Sequence, residues 1–284
     1  MNVLGTSLED LRAEIDRIDT DLHGLIKRRA ALVEKIRAVK ARDSITVVRP
    51  GREADILRTL SRRHDGAFPF PAIARIWREI IANITRMEMP DYSVAVYAGG
   101  DTPEIWDLAR NQFGSATPMT PYGTTREVLG EVAAERTTIG VLPCPREGDD
   151  DPWWTNIAVR EGVRVSYKLP FVVADGGSGQ AALAIGRIVP ETSGDDRTLV
   201  VVETEQALSR AGVTGLAERV GLKGHPIASS VSGPSFQLLD IEGYIAGDDG
   251  RIDDLSKLSD VAQATVIGSY ATPLTPSSGT EIPS

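Results

Sequence analysis

From Ser7 to about Arg42 the apolar residues Leu8, Leu11, Ile15, Ile18, Leu22, Leu25, Leu32, Ile36 and Val39 follow one another at alternating gaps of three and four, with Arg29 filling the one step that would otherwise be aliphatic. That spacing holds every one of these side chains on a narrow stripe of a single long helix, a heptad seam. Ser7 with Asp10, or Thr6 with Glu9, gives the start signal of an acceptor followed by an acid three residues on. Gly24 costs helix stability by roughly 1 kcal/mol without ending the run. A stripe of this length buries nothing by itself, so the seam predicts a partner helix.

The pattern then changes. Asp43 to Val48 reads as a connection, Arg49-Pro50-Gly51 opens a shorter helix through Arg63, and His64 to Pro71 forms a loop. A third helix carries Ile73, Ile76, Trp77, Ile80, Ile81, Ile84 and Met87 on one face, and Pro90 ends it. Beyond Tyr92, short apolar runs alternate with helical ones. Strand 93–97 leads through Gly99-Gly100 to a helix over 103–113, then come a helix over 124–135, a strand over 139–143 and a β-rich run over 163–174. Alternation of this kind predicts a small parallel α/β sheet. From Thr198 the order is strand 199–203, helix 205–220, strand 235–242, helix 252–258 and strand 265–270. Residues 272–284, rich in Pro, Ser and Thr, read as a disordered tail.

Arg29 is the position with chemical content. An unpaired guanidinium in an apolar seam is costly. Its stem can lie along the seam with the head reaching solvent or an acid on another helix, or the head can hold an anion. Lys40 favours the second reading: eleven residues on, it points nearly the same way at roughly 16 Å, so the two cations can grip a small anion between them. Arg12 lies roughly 25 Å from Arg29 along the same helix. It can serve the same site only from a second copy of the helix running antiparallel.

Composition narrows the classes. The 284 residues suffice for two or three domains. With neither an apolar N-terminal run nor a stretch near 18 apolar residues, no signal peptide and no membrane span are expected. One cysteine, Cys144, excludes an internal disulfide, fits a reducing, cytoplasmic setting and reads as a structural thiol. Three histidines, His23, His64 and His225, are scattered without ligand spacing, so no zinc site is expected. Residues 1–91 carry a charge of +3 and the remainder -12, which together give the net -9. That balance argues against a nucleic-acid partner and suits a basic helical part that takes an anionic small molecule, followed by a separate acidic module.

Leu8-Glu-Asp-Leu-Arg12, Ile15-Asp-Arg-Ile-Asp19, Leu25-Ile-Lys-Arg-Arg29, Lys40, Arg52-Glu53 and Ile76-Trp-Arg-Glu-Ile-Ile81 together resemble the all-helical chorismate mutase family over residues 7–89. The resemblance implies an all-α three-helix domain, an intertwined homodimer, and two active sites each completed by Arg12 of the partner chain. It implies chorismate as substrate, with Arg12 and Arg29 holding its carboxylates and Lys40 reaching a carboxylate and the ether oxygen. Glu53 would take the ring hydroxyl, Arg52 would support the carboxylate end, and Glu88 would stand where a glutamine donates to the ether oxygen. No cofactor or metal is implied. Arg49 and Ile84 depart from the common pattern, where an acid and a serine are usual.

The following stretch is similar, more faintly, to prephenate dehydratase, although Pro145-Arg146-Glu147 follows strand 139–143 in place of Glu-Asn-Ser and the Thr-Arg-Phe motif is absent. Asp240-Ile-Glu-Gly243 and Ile267-Gly-Ser-Tyr270 resemble the end of an ACT-type regulatory domain. The expected organisation is therefore a multidomain chain: a helical mutase domain (1–91), a degenerate dehydratase-like α/β region (92–195), an α+β ACT-like region (196–271) and a tail (272–284). The expected function is chorismate mutase. A bifunctional mutase/dehydratase, an isochorismate pyruvate lyase and a non-catalytic regulator binding aromatic amino acids are the competing readings.

Overall fold

The computed structural model describes residues 7–43, 47–100, 102–173, 179–230 and 235–275, with the side chains at 34 and 36–43 outside that description. Three helices come first: α1 (Leu8–Asp43), α2 (Pro50–Arg63) and α3 (Phe70–Glu88). They follow the seam, the Pro-Gly opening and the apolar face in turn. Prolines stand in the first turn of both α2 and α3, where the missing N–H costs nothing.

The rest of the chain runs β1 (Val94–Tyr97), α4 (Glu104–Phe113), β2 (Met119–Tyr122), α5 (Thr125–Ala133), β3 (Ile139–Pro143), α6 (Thr155–Ala158), β4 (Arg164–Leu169) and β5 (Ala182–Gly186). Then follow β6 (Asp196–Thr204), α7 (Arg210–Arg219), β7 (Gly224–Ser230), β8 (Ser235–Glu242), α8 (Gly250–Ser256) and β9 (Val261–Ala271). Thr124 and Glu127 start α5 with a reciprocal capping box.

Among the described residues the nine strands form one sheet in the order β2-β1-β3-β5-β4-β9-β6-β8-β7. This corrects the expected small parallel sheet. Only β2-β1-β3 and the β4–β9 junction are parallel, and the other neighbours are antiparallel. The strands of 92–195 and of 196–271 meet where Val165 pairs with Gly268. Gly268 has φ +143, and a Cβ there would run into the backbone of Val165, so only glycine lets the two strands approach this closely.

The helical part does not stand apart from the acidic remainder. Ala54, Leu57, Phe70 and Ala74 share a buried cluster with Phe171, and Leu274 packs against it. The Arg58 and Arg78 guanidinium groups lie over the Phe171 ring at 5.8 and 5.5 Å. Leu274 also bridges to Val172. Chain order therefore continues past residue 272, where the tail was expected to begin, while 276–284 lie outside the described residues.

Candidate active site

Arg29 is half-buried on α1, and its Nη1 is buried without a hydrogen-bond acceptor among the described residues. Burial, with the nearby charge of Arg52 adding to it, lowers the Arg29 pKa. The turn that opens α2 thus brings a second guanidinium toward the first, and a buried donor without an acceptor is the feature an anion would satisfy. Arg52 lies exposed and pairs with Asp55 at 2.7 Å.

The other expected site residues are placed less uniformly. Arg12 is exposed on α1, a little under half the length of the helix away from Arg29. The side chain of Lys40 lies outside the described residues. Glu88 is the half-buried last residue of α3. Along α1, Leu8, Leu11, Ile15, Ile18, Leu22, Leu25 and Leu32 are 49–63% exposed. Within one chain the seam has no cover over these positions.

Glu53 is held from two sides. Its Oε2 accepts from Arg78 Nη1 at 2.8 Å and its Oε1 accepts from the Tyr167 hydroxyl at 3.0 Å. The side chains of Arg78 and Glu53 are 7% and 14% exposed, so this is a buried pair rather than a surface one. Burial pushes the Glu53 carboxyl up, against the downward pull of Arg78 and of the Tyr167 bond. Burial likewise lowers the pKa of Arg78 and raises those of Tyr92 and Tyr167 well above the usual phenol value.

Arg49, which stands where an acid was expected, has a structural account. It donates to Glu191 from Nε at 3.1 Å and from Nη2 at 2.9 Å. The other Glu191 oxygen accepts from the Arg52 backbone N–H at 3.2 Å. α2 has no side-chain cap of its own, so the carboxylate of Glu191 serves the start of the helix from across the chain.

Arg78, Tyr167 and Glu191 were not among the expected site residues. Arg78 was open to detection: Ala74, Arg78 and Ala82 fall at gaps of four and all three are buried, so a cation sits in the middle of an inward stripe. Tyr167 and Glu191 lie more than a hundred residues from the groups they hold, and no local pattern marks them. Cys144 is half-buried, and burial pushes its thiol up, which fits a structural thiol better than a nucleophile.

Residues 11–89 match the sequence profile of the family described as chorismate mutase type II. Two curated relatives are the bifunctional chorismate mutase/prephenate dehydratases of Aquifex aeolicus, 34% identical over 140 residues, and of Pseudomonas aeruginosa, 33% identical over 141 residues. Each alignment covers 48% of this chain and 38% of the relative. The aligned stretch is longer than the helical part alone. Among solved structures, a prephenate dehydratase from Streptococcus mutans superposes with a TM-score of 0.46 at 13% identity, over 64% of this chain and 98% of that one. Among the described residues no helix is long and apolar enough to cross a membrane. The helical segment at residues 11–89 is a chorismate mutase type II domain, in a chain homologous over about half its length to bifunctional chorismate mutase/prephenate dehydratases.

Proposed function

We propose that the protein is a chorismate mutase, converting chorismate to prephenate at a cationic site built on α1 and the start of α2. The observation that carries this is the half-buried Arg29, whose Nη1 has no acceptor and whose neighbour is a second guanidinium, within a segment of mutase sequence. Arg29 keeps a buried donor without an acceptor beside Arg52, whose own partner is Asp55, and this cationic pair suits a dianionic substrate.

The rearrangement is unimolecular and needs no nucleophile. Two things lower its barrier: holding the flexible dianion in its compact reactive conformer, and stabilising the negative charge that develops on the ether oxygen. Arg29, Arg52 and Lys40 supply the first through the carboxylates. Lys40 and Glu88 supply the second at the ether oxygen. Each Glu53 oxygen already accepts one hydrogen bond and keeps a second lone-pair direction, so Glu53 can take the ring hydroxyl while it stays held.

Arg12 completes the site from a second copy. The exposed seam supports this assembly, since covering it contributes on the order of 1.5–3 kcal/mol for each leucine or isoleucine fully buried. An antiparallel copy would carry its Arg12 toward Arg29 of the first. The dehydratase-like and ACT-like regions act in this reading as a support for the mutase, without dehydration of their own, because the Thr-Arg-Phe motif is missing. Incubating the pure protein with chorismate and following prephenate and phenylpyruvate separately tests it. Prephenate formation without phenylpyruvate at neutral pH, above the uncatalysed rates, is the expected result.

A further inference from the structure

A cleft of about 140 Å³ lies where α3 and α4 meet the end of β4, and Arg29 is not in its lining. Its walls include Leu57, Ala74, Leu108 and Phe171. Leu57 is fully buried, while Ala74 and Phe171 are 4% and 6% exposed. A cavity of roughly 150 Å³ lined by such side chains is known to take a benzene ring, so the space suits one six-membered ring.

The polar lining carries several N–H donors. Arg75 on α3 and Asn111 and Gln112 on α4 line the same cleft. Gln112 is 7% exposed, and its Nε2 is buried with no acceptor among the described residues. A buried amide nitrogen without an acceptor costs about 1–3 kcal/mol, and a ligand oxygen would remove that cost. Arg78, also in the lining, already has Glu53 as its partner. Arg75 is exposed and makes no ion pair among the described residues, so its charge is open to a ligand.

We propose that this cleft is a binding site for a small carboxylic acid with an aromatic body. The ring lies against Phe171 and Leu57, and the carboxylate accepts from Gln112 and Arg75. The cleft borders the mutase centre through Arg78, which holds Glu53, but Arg29 is not in its lining, and its test does not need turnover.

The test titrates the full-length protein with phenylacetate, using calorimetry and tryptophan fluorescence. Acetate carries the charge without the ring, and phenylacetamide the ring without the charge. Saturable binding of one phenylacetate per chain, about tenfold or more tighter than either control, is expected. Gln112→Leu should weaken it about tenfold, and Ala74→Leu, which fills the cleft, should abolish it. Leu108→Phe fills the cleft from the α4 side and decides the matter where Ala74→Leu does not fold. Arg29→Ala should leave phenylacetate binding unchanged. Equal affinity for all three probes, full binding in the folded filling variant, or loss of binding in Arg29→Ala with Gln112→Leu unaffected would each overturn the proposal.

Discussion

The Tyr167 hydroxyl on β4 donates to Glu53 on α2 across 3.0 Å, although 114 positions of chain separate them. A strand of the dehydratase-like region therefore reaches a carboxylate of the mutase segment. Tyr167→Phe removes this donor without changing shape and should destabilise the fold by only about 1 kcal/mol. Glu53 is proposed to hold the substrate hydroxyl alike in ground and transition states, so the kinetic cost should appear as a several-fold rise in KM with little change in kcat. An unchanged KM in a folded variant would remove Tyr167 from any part in the site.

The Glu53–Arg78 pair makes a separate prediction about stability. Arg78→Met leaves Glu53 buried without its cation and should cost about 3–5 kcal/mol, read from urea unfolding. Burial raises the Glu53 carboxyl above its ordinary 4.5, so the folded chain binds this proton more tightly than the unfolded one. Its contribution to stability is then fully present below about pH 4.5 and lost as pH rises through the raised value. Glu53→Gln should remove that part of the slope; an identical pH dependence in the variant would contradict the assignment.

Arg29→Ala and Lys40→Ala should each lower kcat/KM by about 100-fold or more, the usual effect of removing one donor aimed at developing charge. Steady-state assays on both variants, with circular dichroism to show an intact fold, check this. Turnover like that of the parent protein would end the mutase reading.

Assembly in trans predicts recovery. Sedimentation should give a dimer or a larger species. Arg12→Ala and Arg29→Ala, each nearly inactive alone, should regain activity on mixing, because the mixed dimer holds one intact site. No recovery after proven subunit exchange would show that Arg12 does not cross between chains.

Glu88 gives the prediction for the ether oxygen. A carboxylate only accepts hydrogen bonds, whereas an amide also donates. Glu88→Gln, which places an amide donor at the end of α3, should therefore match or exceed the parent kcat/KM in steady-state assays. A folded Glu88→Gln variant with kcat/KM well below the parent would exclude this position as the donor to the ether oxygen.

Much of this protein was decided within short windows of sequence. The seam of α1, the Pro-Gly opening of α2, the apolar face of α3 and strands such as Ile139–Pro143 are patterns in which neighbours a few residues apart share one face. The mutase segment was legible for the same reason, since Arg12, Arg29, Lys40, Arg52 and Glu53 keep fixed spacing on two helices. The strands missed by pattern were β2, β5 and β7. β2 and β7 each contain a proline, Pro121 and Pro226, and stand at the two edges of the sheet, where a missing N–H is tolerated. β5 is short and buried along its whole length, so it shows no alternation.

Only tertiary structure decided that the nine strands form one sheet, that Glu191 caps α2 and binds Arg49, and that Arg78 and Tyr167 hold Glu53. Local periodicity specifies which face of an element is apolar, but it carries no information on which distant element covers that face. A buried charge finds its partner through the packing of the whole chain, and here that partner is divided between a helix 25 residues away and a strand 114 residues away.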